Sequence, residues 1–322
     1  MELFTIVESQ GFDALKYNVI FWKWYKMDIL HFLCWLYWNP PREAFIIPYF
    51  DHPIVWYGVL FVTGFVLSYF IFIHILIRFL NETDCTTKQR PNPFLPEINK
   101  QKAYALADKL CWFVVAGTIV GARLGAIFFY DWNYFKQHPS EIIKVWHGGL
   151  ASHGGVLGVM LALYLFVKYV QTSIPQLTFL KLLDFVAIPS ALVAFFIRIG
   201  NFINQEIIGT PTSLPWGILF GNPAENVSAV PRHPVQLYEA SAYLMTFFLL
   251  YWLWRKKEIE KKPGALVGLL FICIFTNRFI LEFWKATQES LLNTSFLQVG
   301  QLLSIPFIFL GIILFWLAHK KQ

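Results

Sequence analysis

Charge is scarce in this chain. Asp, Glu, Lys and Arg make up 14% of its 322 residues, where a soluble globular domain carries about 25%. A water-soluble fold of this size would need a far more polar surface, so that class is excluded. Cysteine is scarce too. Cys34, Cys85, Cys111 and Cys273 show no CxxC or metal-type spacing, which argues against a disulfide scaffold or structural zinc, and no metal site is expected. HExxH, GxSxG with triad partners and a P-loop are all missing, so metalloprotease, hydrolase and ATPase readings lose support. No internal repeat of the transporter kind is visible. The formal charge of +6 is no nucleic-acid footprint, because the basic residues sit in short clusters such as Arg255-Lys256-Lys257 and Lys320-Lys321 at the ends of apolar runs.

What is abundant is apolar and aromatic sequence, at 57% and 19% of residues. A helix needs about 20 mostly apolar residues to cross the hydrocarbon of a bilayer. Seven runs meet that need, near 55–79, 103–130, 149–171, 179–200, 234–254, 264–284 and 297–318, with Asp108, Lys109 and Asp184 blurring the ends of the second and fourth. The fold class expected is therefore an all-α integral membrane protein of about seven transmembrane helices. Segments 78–102, 168–181, 255–262 and the C-terminus carry 5, 2, 5 and 2 basic residues, while 131–147, 201–232 and 285–296 carry 2, 1 and 1. The positive-inside bias puts the first group and the C-terminus in the cytoplasm, and the N-terminal side outside.

Two stretches fall outside this pattern. Residues 1–50 form an N-terminal extension ahead of a polytopic unit, 51–322. Within it, 18–37 is aromatic and apolar but interrupted by Lys23, Lys26, Asp28 and His31. It reads as an interfacial amphipathic segment, with an eighth span as the alternative and Met27 as an alternative start. Residues 201–232 are dense in Gly and Pro. That is turn chemistry in a connection too long to be a simple loop, so a small extramembrane cap on the outer side is expected.

Charged side chains at membrane depth cost about 2.5–3.5 kcal/mol on insertion scales, and they usually face a cavity or a partner. Arg123 lies in Gly121-Ala-Arg-Leu-Gly125, among small residues that let helices approach closely. It could equally snorkel from a helix end. Arg278 has Glu282 at i+4, so the two could simply neutralise each other. Arg198 opens the densest constellation, Arg198-Ile-Gly-Asn-Phe-Ile-Asn-Gln-Glu-Ile-Ile-Gly209. There Arg198 and Asn201 share a helix face, and Asn204 and Glu206 follow as the chain leaves the membrane. Guanidinium and carboxamide donors suit an anionic headgroup that also carries hydroxyls. A second cluster, His147-Gly-Gly-Leu-Ala-Ser-His153-Gly-Gly155, offers His153 either for proton transfer or as a satisfied core histidine. A third, Pro231-Arg-His-Pro-Val-Gln-Leu-Tyr-Glu239, begins the fifth span, with Pro234 in a first-turn position and Glu239 as a partner for one of the arginines. All three clusters fall towards one leaflet.

These segments resemble the bacterial prolipoprotein diacylglyceryl transferase family over about residues 38–318. The resemblance rests on Trp56-Tyr57-Gly58, GARLG at 121–125, GGLASHGG at 148–155, RIGNFINQEIIG at 198–209, PRHPVQLYE at 231–239 and RFILE at 278–282. Two departures stand out. Ile197 replaces the signature's first glycine, and Lys285-Ala-Thr-Gln stands where the family often has Arg-x-Pro-Asp. The resemblance implies transfer of a diacylglyceryl group from phosphatidylglycerol to the lipobox cysteine of a prolipoprotein, with release of glycerol phosphate. It implies no cofactor and a location in the bacterial inner membrane. On this reading His153, Arg198 and Arg278 are the catalytic candidates. Tyr57, Arg123, Asn201, Asn204, Glu206, Gly209, Glu239 and Glu282 are the substrate-binding candidates, with Glu282 expected to hold Arg278. A lipid or small-anion transporter and a non-catalytic membrane scaffold are the competing classes.

Overall fold

The computed structural model describes residues 36–47, 52–86, 94–286 and 297–320. Most of the expected N-terminal interfacial segment, including any eighth span in 18–37, therefore lies outside the described residues. What is described begins with three short strands, β1 (Leu36–Trp38), β2 (Glu43–Ile47) and β3 (His52–Val55). Then come α1 (Trp56–Thr86), α2 (Leu95–Phe129), the short α3 (Trp132–Gln137), α4 (Ser152–Val170) and α5 (Phe179–Asn204). The cap strand β4 (Ile218–Phe220) precedes α6 (Val235–Arg255), the single-turn α7 (Lys257–Glu260), α8 (Ala265–Leu281) and α9 (Val299–Lys320).

The protein is an all-α multi-pass membrane protein, and each of the seven expected spans corresponds to one long helix. Six of them are long and apolar enough to cross a membrane. The other, α6, has 21 residues, but its first turns carry Gln236, Tyr238, Glu239 and Ser241, which shortens its apolar stretch. Helix ends depart most from expectation in α1 and α2. At 35 residues, α2 is about 52 Å long at 1.5 Å per residue, well beyond a hydrocarbon core of about 30 Å. Hydropathy marks where lipid ends rather than where a helix ends. The overhang is held by Asn99, which donates to Asn81 of α1 at 2.9 Å, and by Tyr69, which donates to Asp108 at 2.6 Å. Asp184 is explained in the same way. Buried near the start of α5, it accepts from the backbone N–H groups of Gly264 (2.7 Å) and Val267 (2.8 Å), and so caps the N-terminus of α8.

Helix α5 is central and packs on α1, α4, α6 and α8. Its first half and the matching halves of its neighbours form one apolar core, which includes Ile75, Leu76, Phe166, Leu182, Ile188, Leu250, Trp254 and Leu266. Its second half differs. Residues 193–199 are all partly exposed around the full helix circumference, as are residues 271–279 of α8. The bundle is dense at one end and opens between α5 and α8 at the other.

Helices α2 and α4 make the closest pair. Gly117, Gly121 and Gly125 face Gly154 and Gly158 so tightly that a Cβ at Gly121 would lie 2.4 Å from the Gly154 carbonyl oxygen. Such backbone approach needs residues without side chains.

Over the open end sits the cap. β1 pairs in parallel with β4, and a small cluster of Phe202, Ile208, Ile218 and Phe220 packs against Trp38. β2 and β3 form an antiparallel hairpin leading into α1.

Candidate active site

The site grows from the end of α5. Arg198 and Asn201 share a face as expected, and Arg198 Nη1 donates to Asn201 Oδ1 at 3.0 Å. The helix stops at Asn204 because Gln205 turns into the left-handed region at φ 56°. That turn throws Glu206 back over the last helical turn. One carboxylate oxygen of Glu206 accepts from Asn201 Nδ2 at 2.9 Å, and the other accepts from Asn204 Nδ2 at 3.0 Å. Ile207 also has φ 56°, an uncommon state for a β-branched residue. It is held there by Glu225, whose Oε1 accepts from its N–H at 2.8 Å, while Gln236 Nε2 donates to the Glu206 carbonyl at 2.6 Å. Trp38 stacks on Phe202 at 4.6 Å and donates to its carbonyl at 3.0 Å. The polar residues are thus fixed by a strained turn braced from several sides.

The network then crosses between helices. Glu239 of α6 is fully buried. Its Oε2 lies 2.8 Å from Arg198 Nε and its Oε1 lies 3.0 Å from Lys285 Nζ. Lys285 also reaches Glu282 Oε2 at 3.1 Å. Tyr243, one turn along α6, lies within electrostatic reach of Arg198, Glu239 and Arg278, which brings the two arginines into one neighbourhood. Tyr57 of α1 completes it: its ring packs on Gly200, where a Cβ would meet Tyr57 Cδ2 at 2.7 Å.

Several expectations need correction or refinement. The Arg278–Glu282 pair does not form. Helix α8 ends at Leu281, Glu282 enters a 3-10 turn, and its carboxylate turns to Lys285 and lies against Gly300 of α9. Arg278 consequently has no carboxylate partner among the described residues, and its Nε is buried without an acceptor. Arg123 neither snorkels nor joins this network. It is 5% exposed and donates to the carbonyls of Glu141, Ile142, Lys144, Gly148 and Gly149, pinning the connection between α3 and α4. Gly209 serves packing: its N–H donates to His233 O at 3.2 Å, and a Cβ there would lie 2.3 Å from that oxygen. His153 lies exposed in the first turn of α4 and hydrogen-bonds to none of the Arg198 group among the described residues.

Lys285 is the main residue that sequence reasoning left without a role. The signal was present, since it is one of only four basic residues in the segments expected outside, against the bias that governs such segments. Gln236 was legible only as part of a helix start, and Tyr243 only as one aromatic among many.

Three cations (Arg198, Arg278, Lys285) and three carboxylates (Glu206, Glu239, Glu282) therefore meet at one end of the bundle. Every carboxylate is engaged, and one guanidinium is not. A guanidinium at membrane depth without a counter-charge is unfavourable, so the arrangement suits an anion with several oxygens.

The model of the prolipoprotein diacylglyceryl transferase family matches residues 44–317. The chain belongs to that family. Within it, the chain is 49% identical over 363 aligned positions to the phosphatidylglycerol–prolipoprotein diacylglyceryl transferase of Protochlamydia amoebophila, covering 91% of this chain and 97% of that protein. The transferase of the same name from Tolumonas auensis is 40% identical over 89% of this chain and 99% of its own length. That from Chlamydia pneumoniae is 36% identical, with 89% and 96% covered. As a transferase of this family, the chain places its most polar internal network on the helices that carry the family's signature segment, α5 and the turn after it.

Proposed function

We propose that the Arg198–Glu239–Arg278 network grips the phosphodiester of phosphatidylglycerol while its diacylglyceryl group passes to the lipobox cysteine of a prolipoprotein. The enzyme transfers a diacylglyceryl group from phosphatidylglycerol to prolipoproteins. In that step the cysteine sulfur forms a bond to the glyceryl carbon, and the bond from that carbon to the phosphate-side oxygen breaks. The electron pair leaves with glycerol phosphate and the thiol gives up its proton. The chain's own residues have two tasks here, to stabilise the departing anion and to receive a proton.

Arg278 carries the first task because it is the guanidinium without a carboxylate against it, and that single observation carries the reading. Arg198 assists from across the chamber, oriented by Asn201 and Glu239. Asn204, Glu206 and Tyr57 hold the α5 end in shape, Gly209 seats the cap, and Glu282 keeps Lys285 in place. Arg123 acts at a distance, by fixing the connection that presents the start of α4. We assign the thiol proton to His153, whose exposed position suits a group that meets an incoming peptide. The open end and cap face away from the cytoplasm of the bacterial inner membrane and the C-terminus faces into it, as the basic residues favour; a fluorescent reporter fused after Gln322 reads this out directly.

Purified Arg198→Ala and Arg278→Ala, assayed in vesicles with phosphatidylglycerol and a lipobox peptide, should each lose turnover by about a hundredfold or more. Wild-type rates in both would sink the assignment. A transporter or scaffold would yield no thioether product from wild type.

A further inference from the structure

Helix α8 carries one more polar side chain that no role yet explains. In the run Ala265-Leu-Val-Gly-Leu-Leu-Phe-Ile-Cys-Ile-Phe-Thr-Asn277, Asn277 is a carboxamide that follows a largely apolar stretch of the helix, between Thr276 and Arg278. Its Nδ2 is buried and has no acceptor among the described residues. A buried donor left in this way costs about 1–3 kcal/mol, the kind of cost that persists where a ligand supplies the missing partner.

The direction of Asn277 follows from the packing of α8. The face towards α9 is marked by Gly268, which meets Gly311, by Phe271 and Phe275 against Phe307, and by Phe279, whose carbonyl accepts from Gln301. At about 3.6 residues per turn, Asn277 falls on the opposite side of the helix. It shares that side with Cys273, which contacts Thr246 of α6. One helical turn from Cys273 along α8 is Asn277. One turn from Thr246 in the other direction along α6 lie Ala242 and Tyr243, and Tyr243 is the residue next to Arg198, Glu239 and Arg278. Asn277 thus sits on the face that meets α6 beside this group, in the stretch of α8 where every residue from 271 to 279 is partly exposed.

We propose that Asn277 is a further binding residue for the donor lipid, donating through Nδ2 to a phosphodiester oxygen of the phosphatidylglycerol headgroup beside Arg278. The proposal rests on the reading of this chamber as the headgroup site. Asn277 Nδ2 and Arg278 Nε are both unpartnered N–H donors at this level of α8, and a neutral amide adds a hydrogen bond for an anionic oxygen without adding charge. Because it holds the headgroup before and during transfer alike, its loss should weaken lipid binding more than turnover.

The test varies the mole fraction of phosphatidylglycerol in mixed micelles with a fixed lipobox peptide, using purified wild type, Asn277→Leu and Asn277→Asp. Asn277→Leu should raise KM for phosphatidylglycerol about tenfold, as for a lost hydrogen bond to a charged group, with kcat within about twofold. Asn277→Asp, which sets a carboxylate against the phosphate, should raise it further. The thermal midpoint of Asn277→Leu should hold or rise, since an apolar side chain replaces a buried unpaired amide. An unchanged KM for the lipid in Asn277→Leu overturns the proposal, as does a rise in KM accompanied by a lowered midpoint in both variants. If Asn277→Leu behaves as wild type while Arg278→Ala is inactive, only this inference fails. If Arg198→Ala and Arg278→Ala both stay active, the chamber itself has been misread.

Discussion

Among single residues, Glu239 has the most exacting position. Fully buried, it is shared between two cations from different elements, Arg198 and Lys285. Glu239→Gln keeps the shape but leaves both cations short of a counter-charge, and breaking a buried pair in this way costs about 3–5 kcal/mol. The expected outcome is a clear fall in both activity and thermal midpoint, measured on the purified protein. Lys285→Met should free Glu282 to swing towards Arg278 and neutralise it, so KM for phosphatidylglycerol should rise. Lys285→Arg should restore most of the affinity, because it keeps the charge that holds both carboxylates. A Lys285→Met variant with unaltered KM would show that Lys285 does not govern which partner Glu282 takes. These relations were only half legible in the sequence. Arg198 with Asn201 could be read from helical spacing, because both lie within one helix. The exchange of Glu282 from Arg278 to Lys285 could not, because it depends on where α8 ends, and no local residue pattern announces that end.

At the level of elements, the close pair α2–α4 carries the connection that presents His153 and the carbonyls bound by Arg123. Its contact surface is a row of glycines on each helix, where any added methyl group meets backbone rather than a yielding side chain. Gly121→Ala should therefore cost about 1–3 kcal/mol through forced separation of the helices, with a lower thermal midpoint in detergent and reduced activity. Gly155→Ala on the facing helix α4 should be nearly neutral, since a Cβ there lies 3.6 Å from Ala122. Equal midpoints for the two variants would refute the packing account. The seven apolar runs were readable because lipid imposes length and hydropathy on whatever crosses it. The overhangs of α1 and α2 at the end opposite the cap were not, since nothing requires a helix to stop where the hydrocarbon does. The pairing of β1 with β4 was equally hidden: two three-residue strands that pair Leu36 with Ile218 across most of the chain leave no periodic trace.

Across the whole molecule, the end opposite the site holds a second cluster of charge. Arg78 lies 3.2 Å from Glu82 and 3.6 Å from Glu260, and its guanidinium stacks over Trp254 at 4.6 Å. Burial and a hydrogen bond with the Glu82 carboxyl push Glu260 up to about 7, against the opposing pull of Arg78 and Lys181. Between its ordinary value near 4.5 and about 7, the folded state binds more protons than the unfolded one. Stability should therefore fall as pH rises through that window and level off above it. Glu260→Gln should flatten the slope, as read from thermal midpoints at pH 4.5 to 7.5. A slope that persists in the variant would assign the effect to another group.

The dense half of the bundle also bears on the life of the membrane that houses it. Beneath the charged chamber lies a floor of large apolar side chains, among them Phe166, Ile188, Leu250 and Trp254, all within 2% of complete burial. A row of guanidiniums and carboxylates reaching right through a bilayer would offer protons a wire and drain any gradient held across it. Stoppered by that floor, a polar well of this kind would reach into the bilayer from one side only, and the barrier would stay electrically tight.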